Sequence, residues 1–353
     1  ERFRKSTMSV IKVAMLSTFA LDFFTTLAIA ILAVFLGLRL INGHLLLFPT
    51  LAILILAPEY FLPIRNFASD YHATLNGKNS FHAVRRILEM PLPKKPTVEL
   101  HQWTGVDELS LENIEFMYPQ NGSELTNLDL TVKGNQKIGI IGMSGAGKTT
   151  LINLLSGFLA PTSGQITIQG KKVTTLDIHD WQKQILYIPQ TPYIFADTLK
   201  NNIAFYTPNV SEDKIKEAIH VVGLDDLVAE LPQGLGTMIG SGHRALSGGQ
   251  AQRIALARAF LDPERRVMIF DEPTAHLDIE TELELKKRML PLMENRLVFF
   301  ATHRLHWMKQ MDYILVLKNG KLIEQGTYQQ LLDEHGYFTE LMDQTRGKEI
   351  THE

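Results

Sequence analysis

The chain has 353 residues, with 35 lysines and arginines against 38 acidic residues and a formal net charge of −3. This near balance gives no reason to expect nucleic acid as a partner, and the absence of cysteine excludes disulfides, thiolate metal sites and a cysteine nucleophile. The length allows two or three domains, and because the chain begins with Glu1 we expect a piece of a longer protein.

The N-terminal region contains two apolar stretches, each with a single charge. Residues 13–38 contain Asp22, and residues 45–64 contain Glu59. A helix needs about 20 apolar residues to cross a bilayer core. We therefore predict a transmembrane helical hairpin, with a buried hairpin of a soluble protein as the ordinary alternative. Two helices cannot enclose a pathway, so the rest of the wall is expected from preceding sequence or from another chain.

Basic residues flank this hairpin on both sides, and Arg39 alone lies between the two stretches. The positive-inside rule then places both ends in the cytoplasm and the turn 41–44 outside. The flanking residues are Arg2, Arg4, Lys5 and Lys12 before the hairpin and Arg65, Lys78, Arg85 and Arg86 after it.

An acid in hydrocarbon is costly, so we expect Asp22 and Glu59 to face protein or water rather than lipid. For Asp22, a place in a substrate path and simple satisfaction by Thr25, Thr26 or a neighbouring helix both stay open. Glu59 lies nearer the cytoplasmic end, where a structural or interfacial role is the better explanation.

Apolar residues continue at helical intervals through residues 66–89, which predicts that the second helix extends into the cytosol. A linker over residues 91–108 follows, marked by Pro91, Pro93 and Pro96.

Two strands are then predicted, at residues 111–118 and 124–132. Tyr118 ends the first strand, just before the turn 119–122. An aromatic side chain at the rim of a domain can stack on an adenine ring, although ordinary packing would also explain Tyr118.

A glycine-rich loop, residues 142–150, lies between an apolar strand at 138–141 and leucines at helical spacing. Inward-pointing backbone N–H groups and the positive end of the helix would bind anionic oxygens, with Lys148 as a point charge and the Thr149 hydroxyl on Mg²⁺. A glycine turn without a ligand is the alternative. The candidate nucleotide-binding residues here are Gly142, Ser144, Gly145, Ala146, Gly147, Lys148, Thr149 and Thr150.

Short strands are predicted at 164–170 and 171–174, and an apolar strand at 185–188 leads to Pro189 and Gln190. The amide of Gln190 can ligate Mg²⁺ or position water, or it is an ordinary residue at a strand end.

The pattern of residues 211–231 predicts mostly helix. Further along, residues 247–250 predict the start of another helix, where an anion could bind. Ser247 and Gln250 have the spacing of a capping box. One nucleotide cannot easily use two such sites in the same domain, so we expect the second to bind ATP held by a partner. Its residues are Ser247, Gly248, Gly249 and Gln250.

Two further apolar strands end in polar residues. The strand at 267–270 delivers Asp271, a candidate Mg²⁺ ligand, and Glu272, a candidate general base. The strand at 297–301 leads to His303, which can hydrogen-bond the γ-phosphate or the attacking water with its base, although in isolation a structural role is commoner.

Together these motifs resemble the ATP-binding cassette of ABC transporters over residues 111–336. Residues 142–150 resemble Walker A, Gln190 the Q-loop, 246–250 the signature, 267–272 Walker B, 275–278 the D-loop and His303 the switch histidine. The sequence Ala-His-Leu-Asp at 275–278 departs from the commoner Ser-Ala-Leu-Asp at the contact with the partner.

The resemblance implies an α-helical transmembrane hairpin, the last part of a six-helix exporter membrane domain, followed by an α/β P-loop NTPase domain. The expected bounds are 1–90 for the membrane part and 109–345 for the ATP-binding part. Segments 57–65, 70–73 and 274–278 resemble CydD subunits of the bacterial CydDC exporters, a family that exports cysteine and glutathione, is linked to haem and supports cytochrome bd assembly.

This implies an ATPase that uses ATP and Mg²⁺ in the bacterial inner membrane, with its ATP-binding domain in the cytoplasm. The implied partners are a second, CydC-like ABC subunit in a heterodimer, the lipid bilayer and a small thiol or haem, and not nucleic acid. Three alternatives stay open: a lipid, drug or peptide exporter, a soluble ABC ATPase acting on DNA or ribosomes, and a non-hydrolysing regulatory subunit.

Overall fold

The structure is a computed structural model that describes residues 2–90, 95–118, 124–275, 277 and 279–350. The chain divides into two compact units, Glu1–Pro93 and Lys94–Glu353. Several positions singled out in the sequence lie outside the described residues. They are Pro91, Pro93, the turn 119–122, His276 and Asp278.

The N-terminal unit consists of two long helices that pack against each other, α1 (Arg2–Ile41) and α2 (Leu47–Leu88). The turn between them is closed by a hydrogen bond from the His44 backbone N–H to the Arg39 carbonyl, at 2.9 Å. As predicted, α2 continues in one piece far beyond its apolar part.

One described segment, Thr18–Ile41, is long and apolar enough to cross a membrane. The apolar part of α2, Leu47–Pro63, is shorter. The second predicted span therefore does not reach the length of the first, because Pro63 is followed by the more polar continuation of the same helix.

The C-terminal unit is an α/β domain built on two main sheets. Its strands are β1 (Glu108–Met117), β2 (Glu124–Lys133), β3 (Lys137–Ile141), β4 (Ser163–Ile168), β5 (Lys171–Val173), β6 (Ile185–Ile188), β7 (Asp197–Thr198), β8 (Met238–Ile239), β9 (Val267–Asp271), β10 (Leu297–Ala301), β11 (Tyr313–Lys318) and β12 (Lys321–Gly326).

Its helices cover the sheets and form a helical part between β6 and β9. They are α3 (Lys148–Leu155), α4 (His179–Lys183), α5 (Leu199–Ile203), α6 (Glu212–Val222), α7 (Asp225–Glu230), α8 (Gly248–Leu261), α9 (Ile279–Met289), α10 (Tyr328–Asp333) and α11 (Tyr337–Ile350), with 3₁₀ turns at Gly234–Gly236, Leu290–Met293 and Leu305–Gln310.

The larger sheet has the strand order β12-β11-β3-β10-β9-β6, and all of its strands except β12 are parallel. The smaller sheet is antiparallel, in the order β2-β1-β4-β5. The central strands are apolar because both faces of the larger sheet are covered, as Ile140, Ile269 and Phe299 at 0% exposure show.

The predicted strands of this unit are present with small shifts at their ends. Residues 211–231 are mostly helical, as predicted, and form two helices rather than one, because Gly223 adopts φ 68° and ends α6 before α7 begins. A left-handed glycine is a common way to end a helix, because it has no side chain to clash with the preceding turn.

Candidate nucleotide site at the carboxyl edge of the parallel sheet

Strands β3, β6, β9 and β10 are parallel neighbours, so their carboxyl ends meet at one edge of the larger sheet. A cavity of about 780 Å³ lies at this edge. Nine of the residues predicted for the site line it: Tyr118, Ser144, Gly145, Gly147, Lys148, Thr149, Thr150, Gln190 and Glu272. A second cavity of about 510 Å³ shares Ser144, Lys148, Gln190 and Glu272 and adds Gly142 and His303. The sheet topology therefore brings together residues far apart in the sequence.

The glycine loop fits its sharp turn only because two positions lack a side chain. A Cβ at Gly142 would lie 2.3 Å from the backbone oxygen of Leu317, which is far too close. Gly147 stands before the first turn of α3 with φ 103°, where other residues are strained. Ala146 is buried beneath the loop. The loop can thus wrap tightly at the start of α3.

Lys148 is 6% exposed, and its ammonium group turns back across the loop. Its Nζ donates to the Gly142 carbonyl at 2.9 Å and lies 3.6 Å from Glu272 Oε1. This arrangement holds one positive charge between the loop and the acid at the end of β9. An anionic phosphate in the cavity would meet that charge directly.

Asp271 and Glu272 are neighbours in the chain, but their surroundings shift their pKa values in opposite directions. Burial raises the pKa of Asp271, which is 3% exposed, and the hydroxyl of Thr149 partly opposes this by donating to Oδ1 at 3.3 Å. The hydrogen bond from His303 lowers the pKa of Glu272. Glu272 is thus held as a carboxylate, the form that can accept a proton.

His303 donates from Nδ1 to Glu272 Oε2 at 2.7 Å, so β9 and β10 place these two side chains in direct contact. The same hydrogen bond raises the pKa of His303, although partial burial opposes it. Both shifts favour an ion pair of imidazolium and carboxylate.

The backbone at Glu272 adopts φ 50°, an uncommon value for a residue with a side chain. The surrounding sheet holds it there, since the Glu272 N–H donates to the Ala301 carbonyl at 2.8 Å. Strain of this kind persists where neighbouring structure fixes it, and functional sites are frequent examples. Here it turns the carboxylate from the strand toward the cavity.

Three oxygen-bearing side chains at this edge are of the chemical types that a magnesium ion binds. Thr149 offers a hydroxyl, Asp271 a carboxylate whose charge is disfavoured by burial, and Gln190 an amide oxygen on the cavity wall. Among the described residues, no group of three histidines, cysteines or acids is arranged to hold a metal. A cation here would consequently depend on neutral oxygens as well as on Asp271.

Tyr118 lies on the wall of the larger cavity and is half-buried. Its ring packs edge-on against Phe116, with centroids 4.7 Å apart, and its hydroxyl lies 3.5 Å from Thr150 Oγ1. Part of the ring therefore serves packing, and the position on the cavity wall leaves the adenine interpretation open.

The second predicted helix start has the expected local structure. Ser247 is the N-cap of α8, its hydroxyl accepts from the Gln250 N–H at 3.2 Å, and the Gln250 side chain accepts from the Ser247 N–H at 3.0 Å. All four residues of 247–250 are described, and the structure places none of them on the wall of either cavity. Ser247 and Gly248 are exposed.

Sequence reasoning missed part of the larger cavity wall, namely Glu115, Thr126, Asn127, Asn319, Gly320 and Lys321. Asn319 and Gly320 form the turn between β11 and β12, and Gly320 bonds both the Thr126 N–H and the Ala146 carbonyl. Asn-Gly between two apolar runs is a known hairpin signal, so the turn could have been predicted, but its contact with the loop could not.

Comparison with known proteins identifies this domain. Residues 125–275 match the family model described as ABC transporter. The chain is 54% identical over 349 residues to the glutathione/L-cysteine transport system ATP-binding/permease protein CydC of Bacillus subtilis, a match that covers 99% of this chain and 60% of that protein. This chain belongs to the ABC transporter family.

Two further ABC proteins extend the comparison. The protein of the same description named CydD in Escherichia coli is 34% identical over 354 residues, covering 97% of this chain and 59% of its own length. The structure of a bacterial Atm1-family ABC exporter with ATP bound matches with a TM-score of 0.67 and 25% identity, covering 97% of this chain and 60% of that one. The chain thus spans about three fifths of the length of these relatives.

The predicted resemblance to an ABC transporter with a fused ATP-binding domain is confirmed, and so is the exporter fold. Of the two named relatives, the one called CydC is more similar than the one called CydD, whereas the short segments in the sequence pointed to CydD. Those segments cover few positions, and identity over nearly the whole chain outweighs them.

Proposed function

We propose that this chain is the C-terminal part of a bacterial ABC exporter subunit that hydrolyses ATP to drive the export of cysteine or glutathione, in support of cytochrome bd assembly. The single observation that supports ATPase activity is the contact of the Glu272 carboxylate with His303 on the wall of the glycine-loop cavity. Oε1 of the same carboxylate lies 3.6 Å from Lys148 Nζ. The proposal for the thiol substrate rests on the names of the CydC and CydD relatives.

In the proposed reaction, Lys148 and the backbone N–H groups of the loop bind the phosphates of ATP. Glu272 takes a proton from a water molecule whose oxygen attacks the γ-phosphorus, and the bond from that phosphorus to the bridging oxygen of ADP breaks. His303 orients Glu272 and is close enough to the cavity to donate to the γ-phosphate. Gln190 lies on both cavity walls, where it can position the water.

Thr149, Asp271 and Gln190 would hold Mg²⁺, which would neutralise phosphate charge when bound. Tyr118, on the cavity wall, would stack on the adenine ring. The role of the loop residues is phosphate binding, and their backbone rather than their side chains would supply most of it.

The helix start at Ser247, Gly248, Gly249 and Gln250 would close on ATP bound to a second ABC subunit. Its exposure and its absence from the described cavity walls support this proposal. Since the similarity to CydC is higher than to CydD, the partner would be a CydD-like chain rather than the CydC-like chain expected from the sequence.

We further propose that residues 1–90 form the last two helices of the membrane domain and residues 109–345 the ATP-binding domain, joined by the linker 91–108. The long apolar segment Thr18–Ile41 supports a location in the inner membrane, with the ATP-binding domain in the cytoplasm.

The test uses the full-length subunit and its partner in liposomes. ATPase activity is measured with ATP and Mg²⁺ alone and then with cysteine, glutathione, haem or lipid A added. We expect hydrolysis in all samples and stimulation by a thiol. Stimulation by the lipid alone would identify a lipid exporter instead, and absence of hydrolysis would contradict the ATPase.

A further inference from the structure

A buried acid outside the two nucleotide cavities connects the segments that carry the catalytic pair. Glu282 lies on α9 and is 1% exposed. Its Oε1 accepts hydrogen bonds from Thr274 Oγ1 and Trp307 Nε1, each at 2.7 Å, and its Oε2 pairs with the guanidinium of Arg304. The carboxylate therefore has partners on two other segments of the chain.

Those partners stand next to the catalytic residues. Thr274 follows Glu272 by two positions, and Arg304 follows His303 directly. Arg304 also donates from Nη2 to the Leu277 carbonyl at 2.9 Å, so its guanidinium joins the segment after His303 to the segment after Glu272. Glu282 holds this guanidinium in place.

A buried ion pair stabilises a protein little, because desolvation of the two charges offsets their attraction. A hydrophobic group of similar size would serve a core position at least as well. The charged network instead fixes the relative orientation of the segments, because each carboxylate oxygen of Glu282 accepts from donors at defined positions. The hydrogen bond between His303 and Glu272, at 2.7 Å, depends on the same two segments.

We infer that Glu282 is a positioning residue, which keeps the segments after Glu272 and after His303 in a fixed relation so that the histidine orients the base. The inference rests on the proposed ATPase. Glu282 acts through His303 and does not touch the nucleotide cavities described above.

Glu282→Gln tests this with little change in shape. The amide oxygen can still accept from Thr274 and Trp307, while its NH₂ group faces the donors of Arg304 and breaks that contact. The substitution also removes the negative charge that faces His306 Nε2, 3.4 Å from Oε1. Thr274→Val removes the hydrogen bond between Glu282 and the segment after Glu272. In the full-length subunit with its partner, we expect each variant to lower kcat by about tenfold or more while the Kd for ATP changes less than twofold, because misplacement of a catalytic group affects the reaction more than binding.

Asp262→Asn is the matched control. Asp262 is also a buried acid, 4% exposed, and its carboxylate pairs with Arg265 at 2.7 Å. It precedes β9, at the opposite end of the strand from Glu272. Loss of one partner of this pair should lower the melting temperature, because it leaves the other charge uncompensated, but it should leave kcat unchanged.

A second readout separates positioning from general stability. In a His303→Ala background, adding Glu282→Gln should cause no further loss of single-turnover rate, since the group through which Glu282 acts is gone. Wild-type kcat in both Glu282→Gln and Thr274→Val, an equal loss in Asp262→Asn, or full additivity with His303→Ala would each overturn the inference. If Glu282→Gln does not fold, Thr274→Val carries the same comparison. Absence of hydrolysis by the wild type would instead contradict the proposed function.

Discussion

Apolar side chains are exposed along the helices of Glu1–Pro93 and buried in the sheets of Lys94–Glu353. In the apolar window of α1, 11% of the residues are buried, and Phe19 and Phe35 are 66% and 52% exposed. In the parallel sheet, Ile140, Phe299 and Leu315 are each 0% exposed.

The two regions differ in how much of their geometry is set by contacts within this chain. The C-terminal unit buries its own apolar side chains, so the edge that carries Lys148, Glu272 and His303 is set by internal contacts. The helical pair leaves its apolar surface open and needs lipid or protein to cover it. Changes in the C-terminal unit should therefore alter the hydrolysis of ATP, and changes in the helical pair should alter transport.

The largest effect is expected at the base. Glu272→Gln should lower kcat by about 10²-fold or more with ATP affinity retained, because the amide cannot accept a proton while the binding loop is untouched. ATPase assays and nucleotide titration measure the two quantities. Glu294→Gln, an exposed acid before β10, is the control and should behave as wild type. Near-normal turnover by the altered site would remove Glu272 from the role.

The next effect separates the two anion sites. Ser247→Arg should reduce hydrolysis at the partner's nucleotide, and Lys148→Ala should reduce binding at this chain's own glycine loop. Site-resolved nucleotide trapping in the proposed heterodimer distinguishes them. A defect of Ser247→Arg confined to this chain's own loop would exclude action across the interface.

Much of this edge could be predicted from the sequence, because each motif is local. Gly142 to Thr149, Asp271 with Glu272, and His303 each follow an apolar strand, and parallel strands end at a common edge. Glu282 could not be found in this way. Its partners Thr274, Arg304 and Trp307 lie on two other segments. No spacing in the sequence predicts that these side chains contact Glu282.

The helical unit was also predicted less completely. The pattern gave the long helices, but in the structure the apolar part of α2, Leu47–Pro63, is shorter than the predicted 45–64 by its first two residues and its last. Hydropathy along the sequence does not show where a helix begins, and residues 42–46 form the turn between the two helices, so that α2 starts only at Leu47.

A smaller effect is expected from Tyr118. If its ring stacks on adenine, Tyr118→Phe should keep the Kd for ATP, and Tyr118→Ala should raise it about fivefold, equivalent to about 1 kcal/mol of stacking. Fluorescence titration with ATP measures this. Because Tyr118 also packs on Phe116, the melting temperature of each variant is the control. Equal affinities in all three proteins would leave packing as its role.

The smallest effect on the ATPase is expected from the helical unit. Asp22 is half-buried on α1, and Thr25 beside it donates to the backbone carbonyls of Leu21 and Asp22. If Asp22 lies on the substrate path, Asp22→Asn should lower transport and substrate-stimulated ATPase while basal ATPase and membrane insertion stay unchanged. Glu59→Gln, at an exposed position of α2, is the comparison. Unchanged transport would favour a structural role for Asp22.

In the proposed function, ATP hydrolysis in the C-terminal unit drives transport by the complete protein. Uptake of labelled cysteine or glutathione into inside-out vesicles that contain the full-length subunit and its partner, with and without ATP, measures this coupling. We predict accumulation that requires ATP and is lost in Glu272→Gln, although that variant still binds ATP. Equal accumulation with Glu272→Gln, or without ATP, would contradict the claim that hydrolysis at this site drives export.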